Sequence, residues 1–159
     1  MNDTQRAFLD RAAAEADKAQ HPFPKAAACE AALESSWGNS ALAREDNNLF
    51  GMKQHRHPVY ETMNLPTREF VAGDHKWIQV TAAWIKYPDW ASCFADRLAT
   101  LNRLSSTYAH YAAALAATDA QGFVTEVSRN WSTDPDRAKK VLEIYQDLMA
   151  GTQTQESNS

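Results

Sequence analysis

Glycine, proline and cysteine are all scarce in this chain: of 159 residues, 5 are Gly, 6 are Pro and 2 are Cys. No glycine-rich phosphate cradle, no Cys-x-x-Cys pair and no Ser-His-Asp ordering can be found in it. Cys29 and Cys93 are far apart, each inside an apolar helical pattern, which favours two buried thiols and leaves a disulfide open. Positive charge is also short. Sixteen Lys and Arg against 20 Asp and Glu leave a formal net charge of −4, which excludes the basic face that nucleic-acid phosphates require. The opening residues, Met1 to Asp10, have no basic stretch followed by an apolar one, and no run is long enough to span a bilayer. Neither a secretory leader nor a membrane partner is therefore expected.

What remains is ordinary for a folded domain, with 44% hydrophobic and 23% charged residues. The length suits one domain over residues 1–150, followed by a polar tail at 151–159 that is expected to fray. Asp3 or Thr4 is placed to cap a first helix running to about Ala19, with Phe8, Ala12 and Ala16 at helical spacing. His21-Pro22-Phe23-Pro24 stops it, and Pro24 suits the first turn of a second helix that reaches about Ser36. A short helix over Ser40–Glu45 and a turn at Asp46-Asn47-Asn48 come next. Between Tyr60 and Tyr87 the pattern changes to a hairpin: Glu69-Phe70-Val71, a turn at 72–75, then Trp77-Ile78-Gln79-Val80. Helices return after an Asp89 cap, with Trp90, Phe94, Leu98 and Leu101 as one stripe and Val141, Ile144, Tyr145 and Leu148 as the last. The fold class is mainly α (α+β), a helical domain with a small β-hairpin lobe.

The second helix carries the chemistry. Ala26 to Leu33 has small side chains on every face, so neighbours can pack closely around it. Glu34 stands near its end, beside the break at Trp37-Gly38. A carboxyl among Ala and Leu, covered by a Trp, is expected to lose water and have its pKa raised, as a general acid requires. Glu30, one turn earlier, is the rival for that role, and like charge at that spacing pushes one of the two upward.

Ala31-Ala32-Leu33-Glu34-Ser35-Ser36-Trp37-Gly38-Asn39-Ser40, followed by Asn47-Asn48-Leu49-Phe50-Gly51-Met52-Lys53, resembles the signature of glycoside hydrolase family 73. These are the flagellar-rod-type N-acetylglucosaminidases of bacterial peptidoglycan, and their fold is lysozyme-like. Thr67-Arg68-Glu69, Trp84-Ile85-Lys86-Tyr87 and Asn130-Trp131-Ser132-Thr133-Asp134-Pro135 resemble further blocks of the family, so the likeness runs from about Phe8 to Leu148. It implies Glu34 as the acid and Glu69 as the second carboxylate of glycoside hydrolysis, with Glu61 as fallback. It also implies a substrate-binding set of Asn48, Tyr87, Trp131 and Trp37. Core packing is the competing reading for the aromatic residues, and a loop-holding amide for Asn48. Two departures stand out: Ser36 where the family has glycine, and Trp131 where it has a tyrosine hydroxyl.

His55, His57 and His75, with Asp74 or Glu61, form a weak metal-like cluster; Lys53 and Arg56 beside them argue against a cation, and no metal or cofactor is expected. The partner implied is the peptidoglycan glycan strand, met by a monomer, with action at the wall or periplasm after release or injection, as for phage endolysins and injected effectors. A muramidase or lytic transglycosylase on the same fold, and a glycan-binding module without turnover, are the alternatives.

Overall fold

The computed structural model describes residues 1–55 and 60–156, with side chains described as far as residue 152. Helix α1 (Asp3–Lys18) begins one residue earlier than predicted, because Asn2 makes the cap. Its side chain accepts from the Gln5 amide at 2.8 Å while the Gln5 side chain accepts from the Asn2 amide at 3.0 Å, a reciprocal capping box. The face Phe8, Leu9, Ala12 and Ala16 is buried.

Helix α2 (Pro24–Glu34) opens with proline in its first turn and is buried along its whole middle, Ala26 through Ala32. It is the central helix, in contact with α1, α6 (Ala120–Trp131) and α7 (Arg137–Glu156). Alanine on every side permits that close approach. The chain then leaves the helix sharply: Ser36, Trp37 and Gly38 have φ of 51°, 58° and 78°. Left-handed backbone is free for glycine but strained for the serine and the tryptophan. Ser35 holds the break, its Oγ donating to the Ala31 carbonyl at 2.6 Å and accepting from the Gly38 amide at 2.8 Å.

Ser40 caps α3 (Ala41–Asp46). The hairpin falls within the expected Tyr60–Tyr87 stretch, with β1 (Thr62–Val71) pairing antiparallel to β2 (Lys76–Ile85) in a register that sets Phe70 against Trp77 and Pro66 against Thr81. Both strands of a two-stranded ribbon have an outward side, where proline's missing N–H forfeits no ladder bond. Asp89 caps α4 (Trp90–Leu104) through the Ser92 amide at 2.7 Å, and α5 (Ala109–Leu115) and α6 follow. The buried stripe of α4 contains Arg97 rather than Leu98. Helix α7 starts at Arg137, after the Thr133–Asp136 turn, and continues through Gly151 to Glu156. Gly151 is crossed by the Arg6 guanidinium of α1, which leaves no room for a Cβ there. The helix therefore outlasts the point where composition alone marks a tail.

Both cysteines are buried and free, and burial pushes each thiol up to about 12. No helix among the described residues is long and apolar enough to cross a membrane.

Candidate active site

A group of charges sits where α2, α4, α6 and α7 meet. Glu30 has no solvent exposure and accepts from both terminal nitrogens of Arg97, at 2.8 and 2.7 Å. Nη2 of Arg137 also donates to Glu30, at 2.8 Å. Burial alone would raise the Glu30 carboxyl, but the two guanidiniums outweigh it and hold the pKa down to about 2. Glu30 is thus a fixed anion with no route to substrate, which removes it as rival acid and corrects the expectation that like charge governs the pair.

Glu34, in the last turn of α2, is the open end of the same network. Nε of Arg137 donates to its Oε1 at 2.8 Å, and about a quarter (24%) of its side chain is exposed. The apolar, Trp-covered setting expected for it is not what the chain builds. Trp37 turns away to pack edge-on against Phe8, with ring centroids 6.1 Å apart, and lines clefts shared with Arg11 and Trp90 and with Leu33 and Lys140. The left-handed backbone at Ser36 and Trp37 accounts for this turn.

The loop after α3 is held by Asn48. Its buried amide donates to the carbonyls of Met52 at 2.9 Å and Ile85 at 3.0 Å and accepts from the Met52 amide at 2.9 Å. It is spent inside the loop, so it shapes the hairpin base and offers no group to a sugar. Tyr87 is likewise buried, and its hydroxyl donates to Asp96 at 2.5 Å. Burial and that bond push the phenol far above its ordinary range. His55 meets the same Asp96 carboxylate at 3.0 and 3.1 Å, so it ties the loop to α4. His75 lies at the exposed hairpin turn, and His57 falls outside the described residues.

Trp131 ends α6 on the wall of a cavity of about 910 Å³, with Ser128, Arg129, Asn130, Thr133 and His110 among its neighbours there. The Arg97 guanidinium lies 4.5 Å from the Trp131 ring centroid. Ser128, on the same wall, accepts from Nη1 of Arg137 at 2.8 Å, which connects the cavity to the Glu34 network. Glu69 stands on β1, about half exposed, with Oε1 3.4 Å from Lys53 Nζ. Each carboxylate is therefore tied to its own cation, Glu34 in the helical body and Glu69 on the hairpin.

Arg97, Arg137, Ser128 and Asp96 were not singled out from sequence. A signal for the arginines exists: Arg137, Val141, Ile144, Tyr145 and Leu148 fall at one helical spacing, as do Trp90, Phe94, Arg97 and Leu101. A cation on an apolar stripe requires a buried anion, and Glu30 in the alanine helix is one.

A buried central helix ending in a glutamate, backed by helices and flanked by one hairpin, is the arrangement of the lysozyme-like glycoside hydrolase domains. The chain superposes with a TM-score of 0.77 on the catalytic domain of the autolysin Auto from Listeria monocytogenes, at 23% identity over 93% of this chain and 86% of that one. Against a truncated glycoside hydrolase domain of Salmonella typhimurium FlgJ the TM-score is 0.70, at 27% identity over 92% and 98% of the two chains. Residues 10–150 match the Glucosaminidase family model, described as mannosyl-glycoprotein endo-beta-N-acetylglucosaminidase, and the chain belongs to that family. It is 34% identical to the peptidoglycan hydrolase FlgJ of Salmonella typhimurium over 128 residues and 32% identical to the exo-glucosaminidase LytG of Bacillus subtilis over 149. Those matches cover 76% and 91% of this chain but span only 38% and 51% of the two relatives.

Proposed function

We propose that this domain hydrolyses the glycan strand of peptidoglycan as an endo-β-N-acetylglucosaminidase, working as a monomer at the cell wall. The observation that carries the reading is Glu34. It lies in the family's motif at the end of the buried helix, is held by a guanidinium on one side and is open to solvent on the other. Glu34 donates its proton to the glycosidic oxygen as the C1–O bond breaks, and the bonding pair leaves with that oxygen. Glu69, paired with the half-exposed Lys53, either stabilises the positive charge on the sugar or takes a proton from the attacking water. Trp131 offers an aromatic wall from the cavity side, backed by Arg97, while Asn48 and Tyr87 hold the loop and hairpin base from beneath.

The half-exposed Glu69 favours one second reading. A lytic transglycosylase needs no activated water, so it tolerates a loosely held second carboxylate. Mass spectrometry of products from purified peptidoglycan separates the cases, with wild type beside Glu34→Gln. Reducing N-acetylglucosamine ends that vanish with the variant are expected. Anhydro-muramic ends would move the assignment to the transglycosylase, and reducing muramic ends to a muramidase. Binding without products would reduce the domain to a glycan-binding module.

A further inference from the structure

We propose that Arg137 is the positioning residue of Glu34, claiming one carboxyl oxygen and leaving the other to meet the glycosidic bond. The inference rests on Glu34 being the acid. Three donors of one guanidinium point three ways: Nε to Glu34 Oε1, Nη1 to Ser128 Oγ and Nη2 to Glu30 Oε2, each at 2.8 Å. The side chain is only 1% exposed. Its plane is fixed on both sides, since Glu30 is itself locked by the two nitrogens of Arg97. Among the described residues no protein group donates to Glu34 Oε2.

The charges explain why the network ends at Glu34. Glu30 needs one cation and faces two, Arg97 and Arg137. The surplus positive charge is met by Glu34, so two carboxylates and two guanidiniums balance in the interior. A carboxylate in the last turn of a helix also faces the negative end of the helix dipole, which a neighbouring cation offsets. For the reaction Glu34 takes up a proton from solvent on Oε2, through the open part of its side chain, which leaves the cluster with one positive charge in excess, while Oε1, then a carbonyl oxygen, keeps its bond from Nε. When Oε2 passes its proton to the leaving oxygen, the negative charge that develops on Glu34 is met by a guanidinium already in place, with no reorganisation. A lysine has no planar fork and cannot hold the three acceptors together.

The test is steady-state turnover of purified glycan strands by the full chain, comparing wild type, Glu34→Gln, Arg137→Gln and Arg137→Lys, each with its thermal melt. Arg137→Gln is expected to lose about 10²-fold in kcat, as for removal of one preorganised donor, with KM unchanged. Arg137→Lys should recover about tenfold of that loss by restoring the charge. A folded Arg137→Gln with wild-type kcat, or one whose loss is all in KM, overturns the inference. Should Arg137→Gln fail to fold, Arg137→Lys decides: lowered kcat at unchanged KM supports the role, and an unchanged kcat overturns it. A wild type that releases no products sinks the hydrolase reading itself, whereas full activity in the Arg137 variants beside a dead Glu34→Gln sinks only the positioning role.

Discussion

The helical body buries charge, while the hairpin displays apolar surface. In the body Glu30, Arg97 and Arg137 are essentially without solvent and are joined by bonds of 2.7–2.8 Å, with Nε of Arg97 left without an acceptor among the described residues. On the hairpin Phe70 and Trp77 are more than half exposed, at 51% and 59%, and the strands contact chiefly each other. The proposed acid belongs to the first region and the proposed second carboxylate to the second. A proton donor must be held in one orientation, and only a dry, mutually braced network does that. A group that handles water or a diffuse sugar cation tolerates an exposed strand with one surface lysine beside it.

The largest effect should come from breaking the body at its anion. Glu30→Ala leaves Arg97 buried without its anion and Arg137 with Glu34 and Ser128 alone, and a loss of about 3–5 kcal/mol is expected in urea unfolding. The equivalent change on the hairpin, Glu69→Ala, should cost under about 0.5 kcal/mol, since both members of its ion pair are half exposed. Equal costs would dissolve the contrast.

Acid should also find the body before the hairpin. His21 is buried against Phe123, with its ring nitrogen accepting from the Phe23 amide at 3.0 Å. Burial first, and Arg97 second, lower its pKa from 6.5 to about 4. The unfolded chain therefore binds a proton that the folded chain refuses between those values, and stability falls as pH drops from 6.5 to 4, by about 3 kcal/mol. Glu30, lowered from 4.5 to about 2, adds a further loss as pH falls through that lower window. Urea midpoints across pH, with His21→Gln beside wild type, check the first slope; the variant should lose most of the fall between 6.5 and 4.5.

Turnover sharpens the other half of the comparison. Glu69→Gln is expected to lower kcat about 10²-fold, or about 2.7 kcal/mol, while the melting temperature stays put. Unchanged turnover with anhydro ends would assign the chemistry to the body alone. A small gain lies at the seam below Glu34. Ser36 is exposed and left-handed, so Ser36→Gly should relieve strain at some cost in unfolded-chain entropy and stabilise by about 0.5–1 kcal/mol, read by thermal melt.

Much of this was legible from residues. Pro24 opened the second helix, Asp89 capped the fourth, the alanine run marked the central helix, and the paired motif blocks identified the family and the mainly helical fold with one hairpin. Other features were not. The capping box at Asn2 and Gln5 shows only when the third helical residue's side chain is weighed with the cap, and Trp37 reads as a lid for Glu34 because adjacency in sequence says nothing of the backbone's hand. His55 groups with its histidine neighbours in sequence, although its partner, Asp96, lies 41 residues away.

The run of small, helix-favouring side chains is enough to pick out the central helix, because alanine admits neighbours on all sides, and the glutamate at its end follows. What surrounds that glutamate depends on the packed fold. Arg137 lies 103 residues away along the chain, and no local periodicity says which buried anion a distant cation will find. That pairing is settled when α7 folds back on α2, because a guanidinium removed from water must take every acceptor within reach.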